Sequence, residues 1–94
     1  MIKGFGDREA ERVFRRERSR RLPYGIQRIA LRKLLQIGAA TRLESLRVPP
    51  GNRLEALHGD RTGQHSVRIN DQWRICFVWY NGDAYEVEIV DYHG

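Results

Sequence analysis

Hydrophobic and polar residues alternate through the second half of the chain, which is the pattern of β-strands that bury one face. This alternation predicts a strand over residues 65–69, another over 73–80 and a third that ends near Tyr92. A brief strand is predicted ahead of them over residues 54–57. One side of the second strand is strongly apolar, with Trp73, Ile75, Phe77 and Trp79. The C-terminal half therefore reads as a largely antiparallel sheet.

Apolar residues in the first 40 positions recur at helical spacing instead. Asp7 is a suitable N-cap for a first helix, and a second helix is expected to have Pro23 in its first turn and to stop at Gly38. Residues 2–5 form a candidate short strand, and residues 41–45 a candidate helical turn. The predicted fold is a single α+β domain, with two N-terminal helices packed on one face of a mostly antiparallel sheet of four to five strands. The other face is expected to be open and basic.

The loops between the strands decide which side chains face one another. If residues 70–72 form a three-residue loop, Arg68 lies opposite Arg74. A two-residue loop sets Arg68 against Ile75 and mixes the two faces, so the longer loop is favoured. A three-residue loop over residues 81–83 is favoured by the same reasoning.

That second loop sets Arg74 against Val90 and Glu86 against Val78, with Tyr92 one step further along the polar face. Two like charges directly opposite one another destabilise a sheet. A fold that keeps both arginines is therefore using them or neutralising them.

Two readings of the arginine pair follow. In the first, Arg68 and Arg74 bind an anion. In the second, they pair with Glu86 and Glu88 on the same face as a solvated network. Because the predicted register puts both glutamates towards the other end of the strands, the anion site is favoured.

Composition points to a polyanionic partner. The chain has 94 residues, 17 lysines and arginines against 12 acidic residues, a net charge of +5 and a pI near 10.0. Lys3 and Lys33 are the only lysines; arginine suits bidentate phosphate recognition, although a GC-rich genome gives the same bias. Cys76 is the only cysteine, which excludes a disulfide within one chain and fits the cytoplasm. No signal peptide or membrane span is expected.

The usual enzyme motifs are absent from the sequence. His58, His65 and His93 lack the spacing of a zinc site, and there is no glycine-rich phosphate loop or G-x-S-x-G elbow. No metal or cofactor is expected. The remaining polar candidates are Arg68, Asn70, Arg74, Asp91, Tyr92 and His93, with His58 and Arg61 in the loop before the central hairpin.

These residue types suit metal-independent cleavage of RNA. Guanidinium groups stabilise the charge on a pentavalent phosphorane, a histidine titrates near neutral pH, and a tyrosine stacks on a base or moves a proton. Each assignment has a structural alternative. Tyr92 and His93 fit a hydrogen-bonded chain end, and Asn70 fits a simple turn former.

Three segments resemble the HigB-type toxins of the RelE/ParE superfamily. They are GNRLEALHG at 51–59, HSVRINDQWRI at 65–75 and VEIVDYH at 87–93. The resemblance covers essentially the whole chain, and its specificity lies in the C-terminal half. It implies the RelE-like microbial RNase fold for residues 1–94. It also implies the toxin of a bacterial type II toxin–antitoxin system that enters the ribosomal A site and cleaves messenger RNA there without a metal.

The resemblance also implies partners and roles. The partner would be a HigA-like helix-turn-helix antitoxin, whose complex with the toxin would contact operator DNA through the antitoxin. Where some relatives have a catalytic lysine, this chain reads His58-Gly59-Asp60-Arg61, so His58 and Arg61 are both candidates to bind RNA there. The family's active positions match Arg68, Asn70, Arg74, Asp91, Tyr92 and His93.

Three points stay open from the residues alone. Either Asp91 or His93 is the candidate to transfer a proton. ParE-type relatives share the architecture but poison DNA gyrase, so fold alone does not decide the function. Charge alone also fits a non-enzymatic nucleic-acid-binding module. The Asp91-Tyr92-His93 end together with Arg74 favours the nuclease, because a gyrase poison need not keep it.

Overall fold

Two helices and four strands follow one another in the computed structural model, which describes residues 1–92. The helices are α1 (Arg8–Phe14) and α2 (Tyr24–Ala39), and the strands are β1 (Glu55–Ala56), β2 (Gln64–Arg68), β3 (Trp73–Tyr80) and β4 (Asp83–Asp91). Short 3-10 turns cover Leu43–Arg47, Pro50–Asn52 and Gly59–Arg61. The predicted α+β fold is confirmed.

The four strands form one antiparallel sheet in the order β1-β2-β3-β4. Arg68 lies opposite Arg74, as the three-residue loop over residues 70–72 requires. The decisive register of the central hairpin is therefore the predicted one.

The turn between β3 and β4 differs from the prediction. Tyr80 lies opposite Asp83, so the loop has two residues, Asn81 and Gly82, rather than three. Both have positive φ, 51° and 84°. An Asn-Gly pair adopts this left-handed geometry readily, and its twist matches that of the flanking strands.

A β-bulge at Glu86 compensates for the shorter turn. Tyr85, and not Glu86, lies opposite Val78, and the ladder is irregular just beyond that pair. Glu86 has a φ of 52°, as an extra residue in a bulged strand can have. The predicted pairing of Glu86 with Val78 is wrong. Beyond the bulge the predicted register returns, and Arg74 lies opposite Val90.

The first residues line the outer edge of β4 without forming a strand. Ile2 and Phe5 make isolated parallel bridges to Ala84 and Val87. The candidate strand over residues 2–5 therefore pairs with β4 at two points and is not a continuous strand. Lying along β4, this segment covers what would be an exposed sheet edge.

Asp7 joins α1 to the same edge of the sheet. Its Oδ1 accepts a hydrogen bond from the Ala10 N–H at 2.6 Å, which confirms the predicted N-cap. Its Oδ2 accepts another from the Ile89 N–H at 3.0 Å. One carboxylate therefore fixes the helix start and satisfies a strand donor.

Both ends of α2 lie one residue from their predicted places. Pro23 is the N-cap residue and not part of the first turn, and the helix continues past Gly38 to Ala39. A Cβ at Gly38 would lie 3.9 Å from the Ile2 and Phe14 side chains, so this glycine packs against neighbours instead of ending the helix.

The core lies between the helices and the apolar face of the sheet. Its fully buried side chains include Leu34, Ile37, Val67, Ile75, Phe77 and Val87. Over residues 1–92, neither helix is long and apolar enough to cross a membrane.

Replacing Asp7 by alanine is expected to lower the free energy of unfolding by about 1–3 kcal/mol, because the helix loses its cap and the Ile89 N–H loses its acceptor. Denaturant unfolding followed by circular dichroism measures the change. Asp60→Ala, at an exposed loop position, is the control and should stay within about 0.5 kcal/mol of the parent. Equal losses in both variants would contradict the assigned role.

Candidate functional site

The polar face of the sheet is covered by ion pairs, so the prediction of an open face is wrong. A cross-strand row of Glu55, Ser66, Cys76 and Glu88 runs over all four strands. Its two central side chains are fully buried, and the carboxylate at each end binds an arginine. The face is therefore built around two arginine–carboxylate pairs.

Arg74 is held on three sides, and only 11% of its side chain is exposed. Its Nη1 donates to Glu55 Oε1 at 3.0 Å, and its Nη2 donates to the Arg53 carbonyl oxygen at 2.7 Å. The centroid of the Tyr92 ring lies 5.7 Å from its Cζ, within cation–π range. These contacts fix the position and the plane of the guanidinium.

Arg68, opposite Arg74, forms its ion pair with Asp71 in the adjoining loop. Because Asp71 is 97% exposed, this pair lies in water and costs little to exchange for another anion. Asn70 shapes the same loop, since its Oδ1 accepts hydrogen bonds from the Gln72 and Trp73 N–H groups, both at 2.8 Å. That oxygen acts as a turn former.

The C-terminal residues pack against this loop through Gln72. Its Nε2 donates to Asp91 Oδ2 at 3.1 Å, and its carbonyl oxygen accepts from the Tyr92 N–H at 2.6 Å. Tyr92 remains 43% exposed. The prediction for His93 lies outside the described residues.

Arg61 approaches from the loop between β1 and β2. It pairs with Glu88, and its Nη1 also donates to Gln64 Oε1 at 2.9 Å. The hydrogen bond to Glu88 raises the pKa of Arg61, although burial acts in the opposite direction. Glu88 is therefore bound by Arg61 and does not neutralise the facing arginine pair. His58 lies exposed just before this turn.

The two arginine–carboxylate pairs lie at opposite ends of one cross-strand row that contains Cys76. Burial raises the pKa of the Cys76 thiol, while the charges of Arg61 and Arg74 oppose that shift and Glu88 adds to it. Tyr92 in turn acts on Arg61. A thiol kept protonated in this way is no nucleophile. Arg61, Arg68, Arg74 and Tyr92 are called the arginine face below.

The arginine face offers the fixed guanidinium of Arg74, two further guanidinium groups and a partly open aromatic ring. Such groups bind a phosphodiester by charge-assisted hydrogen bonds, and the ring can stack on an unpaired base. Over residues 1–92, no group of three or more histidine, cysteine, aspartate or glutamate side chains is arranged to hold a metal ion.

Comparison with known proteins decides the family. The profile of a family described as "RelE-like toxin of type II toxin-antitoxin system HigB" matches residues 3–93. The chain belongs to this family. Toxin HigB-1 of Vibrio cholerae serotype O1 is 40% identical over 85 residues, which cover 89% of this chain and 90% of that protein. Endoribonuclease HigB of Proteus vulgaris is 46% identical over 41 residues, 44% of this chain and 45% of that protein.

Sequence reasoning missed three groups at the site of this HigB-family toxin. They are the Glu55 carboxylate, the Arg53 carbonyl oxygen and the Gln72 side chain. Glu55 lies in a two-residue strand, too short for alternation to define its register. Gln72 lies in a loop, where no periodicity operates.

His65 is a structural histidine in this toxin. It stacks on Phe77 with ring centroids 6.4 Å apart, and its Nδ1 is buried without a hydrogen-bond partner in the described structure. Burial, and secondarily the charge of Arg47, lowers its pKa. The folded state therefore favours the neutral ring.

This lowered pKa predicts a loss of stability in acid. As the pH falls below about 6.5, the unfolded chain takes up the His65 proton before the folded chain does, so the free energy of unfolding decreases. For one proton the slope is at most about 1.4 kcal/mol per pH unit. Denaturant unfolding between pH 7.5 and 5.5 should show a shallower decrease for His65→Phe. The exposed His58→Phe is the control, and equal slopes for the parent and His65→Phe would contradict the assignment.

Proposed function

We propose that this HigB-family toxin is an endoribonuclease that cleaves messenger RNA in the ribosomal A site, and that the arginine face binds the scissile phosphodiester. The observation that carries the proposal is the immobilised Arg74 guanidinium, with Tyr92 against it and Arg68 opposite. The Proteus vulgaris relative, named an endoribonuclease, supports the same activity.

In the proposed reaction the RNA supplies its own nucleophile. The 2′-oxygen loses its proton and attacks phosphorus, and the 5′-oxygen leaves and takes up a proton. Arg74, already oriented, stabilises the charge on the pentavalent phosphorane without reorganising during the reaction. Arg68 exchanges its exposed partner Asp71 for a phosphate oxygen.

Two residues remain candidates for the proton transfers, Asp91 and His93. The Gln72 amide orients Asp91 at 3.1 Å. Tyr92 stacks on the nucleotide from the side left open by Arg74. Arg61, which Glu88 holds in place, is proposed as a further RNA contact, together with His58 and Asn70. We propose that a single domain, residues 1–94, carries all of this chemistry.

A type II toxin has an antitoxin, and we propose a HigA-like helix-turn-helix protein for this one. The complex binds operator DNA through the antitoxin. The free toxin acts in the cytoplasm, where the ribosome orients the messenger RNA. Because positioning supplies much of the rate, isolated RNA is cut poorly.

Arg74→Ala is expected to reduce transcript cleavage in a purified translation system by about 100-fold or more, the usual effect of removing a preorganised transition-state donor. Primer extension on a reporter transcript measures it, with and without ribosomes. Arg12→Ala removes the same charge from an exposed position of α1 and is the matched control, expected within about twofold of the parent.

Equal cleavage by the parent and Arg74→Ala would refute the role of the arginine face. If the parent leaves the transcript intact on the ribosome, the nuclease proposal fails. Loss of DNA supercoiling before loss of translation in induced cells would then favour a ParE-like gyrase inhibitor. Salt-dependent binding of nucleic acid without growth arrest would favour a plain binding module.

A further inference from the structure

A buried polar cluster lies where α2 meets the loop before β1. Lys33 is 6% exposed and Asn52 is fully buried. The Lys33 Nζ donates to Asn52 Oδ1. The Asn52 Nδ2 donates to the Leu46 and Val48 carbonyl oxygens at 3.1 and 3.3 Å and to Gln36 Oε1 at 3.2 Å. Asn52 therefore ties this loop to α2.

Burying a lysine costs free energy, because the charged ammonium group loses its contacts with water. Burial lowers the pKa of Lys33, and the charges of Arg32 and Arg68 lower it further. Replacing buried charged groups by apolar side chains of similar volume is often neutral or stabilising. Stability alone therefore gives a weak reason for a lysine here, and the contacts downstream of Asn52 give a stronger one.

The segment directly after Asn52 carries both hydrogen-bond anchors of Arg74. Arg53 has the left-handed φ of 44°, which turns its carbonyl oxygen to accept from Arg74 Nη2 at 2.7 Å. Glu55, two residues on, accepts from Arg74 Nη1 at 3.0 Å. β1 has two residues, so strand pairing alone holds this segment weakly.

We infer that Lys33 and Asn52 are positioning residues that set the Arg74 guanidinium through the Arg53 carbonyl and the Glu55 carboxylate. The Lys33–Asn52 hydrogen bond fixes the start of the segment, and the segment fixes the plane of Arg74 on the other face of the sheet. The expected effect of Lys33 and Asn52 on RNA cleavage rests on the proposed function. Their effect on the position of Arg74 is independent of that function.

The first test measures the environment of the Arg74 side chain in the isolated toxin. The buried Nε–H of Arg74 gives a side-chain NMR signal, which Arg74→Lys identifies by its loss. In Lys33→Met, which removes the donor but keeps the length of the chain, this signal is expected to shift or broaden while circular dichroism remains unchanged. Lys3→Met is the matched control, because Lys3 is the other lysine and is exposed. A folded Lys33→Met protein with an unmoved Arg74 signal overturns the inference.

The second test measures the rate of transcript cleavage on the ribosome. Lys33→Met is expected to cut the transcript about tenfold more slowly, since small misplacements of a catalytic group are costly. In the Arg74→Lys variant, an ammonium group replaces the guanidinium that makes two hydrogen bonds. Adding Lys33→Met to this variant should lower the cleavage rate less than about twofold. Equal losses in both backgrounds indicate a purely structural role for Lys33 and overturn the inference.

The two readouts separate the inference from the proposed function. A moved Arg74 signal in a protein whose parent does not cleave RNA supports the positioning and refutes the nuclease. If Lys33→Met does not fold, the double variant Lys33→Met/Asn52→Leu is used instead. It replaces both buried polar groups by apolar side chains of similar volume, and so removes the Lys33–Asn52 hydrogen bond together with the donor to the Leu46 and Val48 carbonyls. The same movement of the Arg74 signal is expected, and an unmoved signal overturns the inference.

Discussion

The candidate site depends on the register of β3 between its two neighbours. A slip of one residue would send Arg74 to the apolar face and replace it by Ile75. The observed register puts Arg74 beside Arg68 on one side and Val90 on the other. It also aligns Glu55, Ser66, Cys76 and Glu88 in one row, so that the carboxylates at the two edges can each hold an arginine. The burial of Ile75 and Phe77 on the opposite face is what makes this register stable.

The arginine face contains two kinds of guanidinium. Arg74 is largely buried and bound on three sides, so its geometry is set before any RNA arrives. Arg68 is paired to an exposed aspartate, and that pair is weak enough to exchange. Such a combination suits recognition of a phosphodiester, because one group supplies fixed geometry and the other supplies charge that can follow the substrate.

Much of this arrangement could be predicted from sequence, because alternation assigns each strand residue to one of only two faces. Of a two-residue and a three-residue loop before Trp73, only the three-residue loop keeps the faces separate, and the structure has that length. The length of the turn at residues 81–82 is harder to predict. The bulge at Glu86 compensates for the shorter turn, so the residues beyond it face the same way as they would after a three-residue turn. Periodicity also does not reveal that Lys33 is buried, since a lysine in an arginine-rich helix reads as a surface residue.

The carboxylate partners of the arginines are hard to predict for a related reason. Strand alternation points to Glu86 and Glu88, which lie in a long strand, and gives no signal for Glu55 in a strand of two residues. The Asp71 partner of Arg68 lies in a loop, where strand parity says nothing. Short edge strands and loops are held by side-chain contacts, and those contacts become visible only once the chain is folded.

The central claim is that RNA is bound and cut at the arginine face. The most direct test is electron cryo-microscopy of the toxin on a ribosome whose A-site codon carries 2′-O-methyl groups, which block the nucleophile and trap the uncut complex. The account predicts that the Arg68 and Arg74 guanidinium groups lie within hydrogen-bonding distance, about 3 Å, of the scissile phosphate, with Tyr92 against a base. A toxin that presents its helices to the codon and leaves these side chains facing solvent would contradict it.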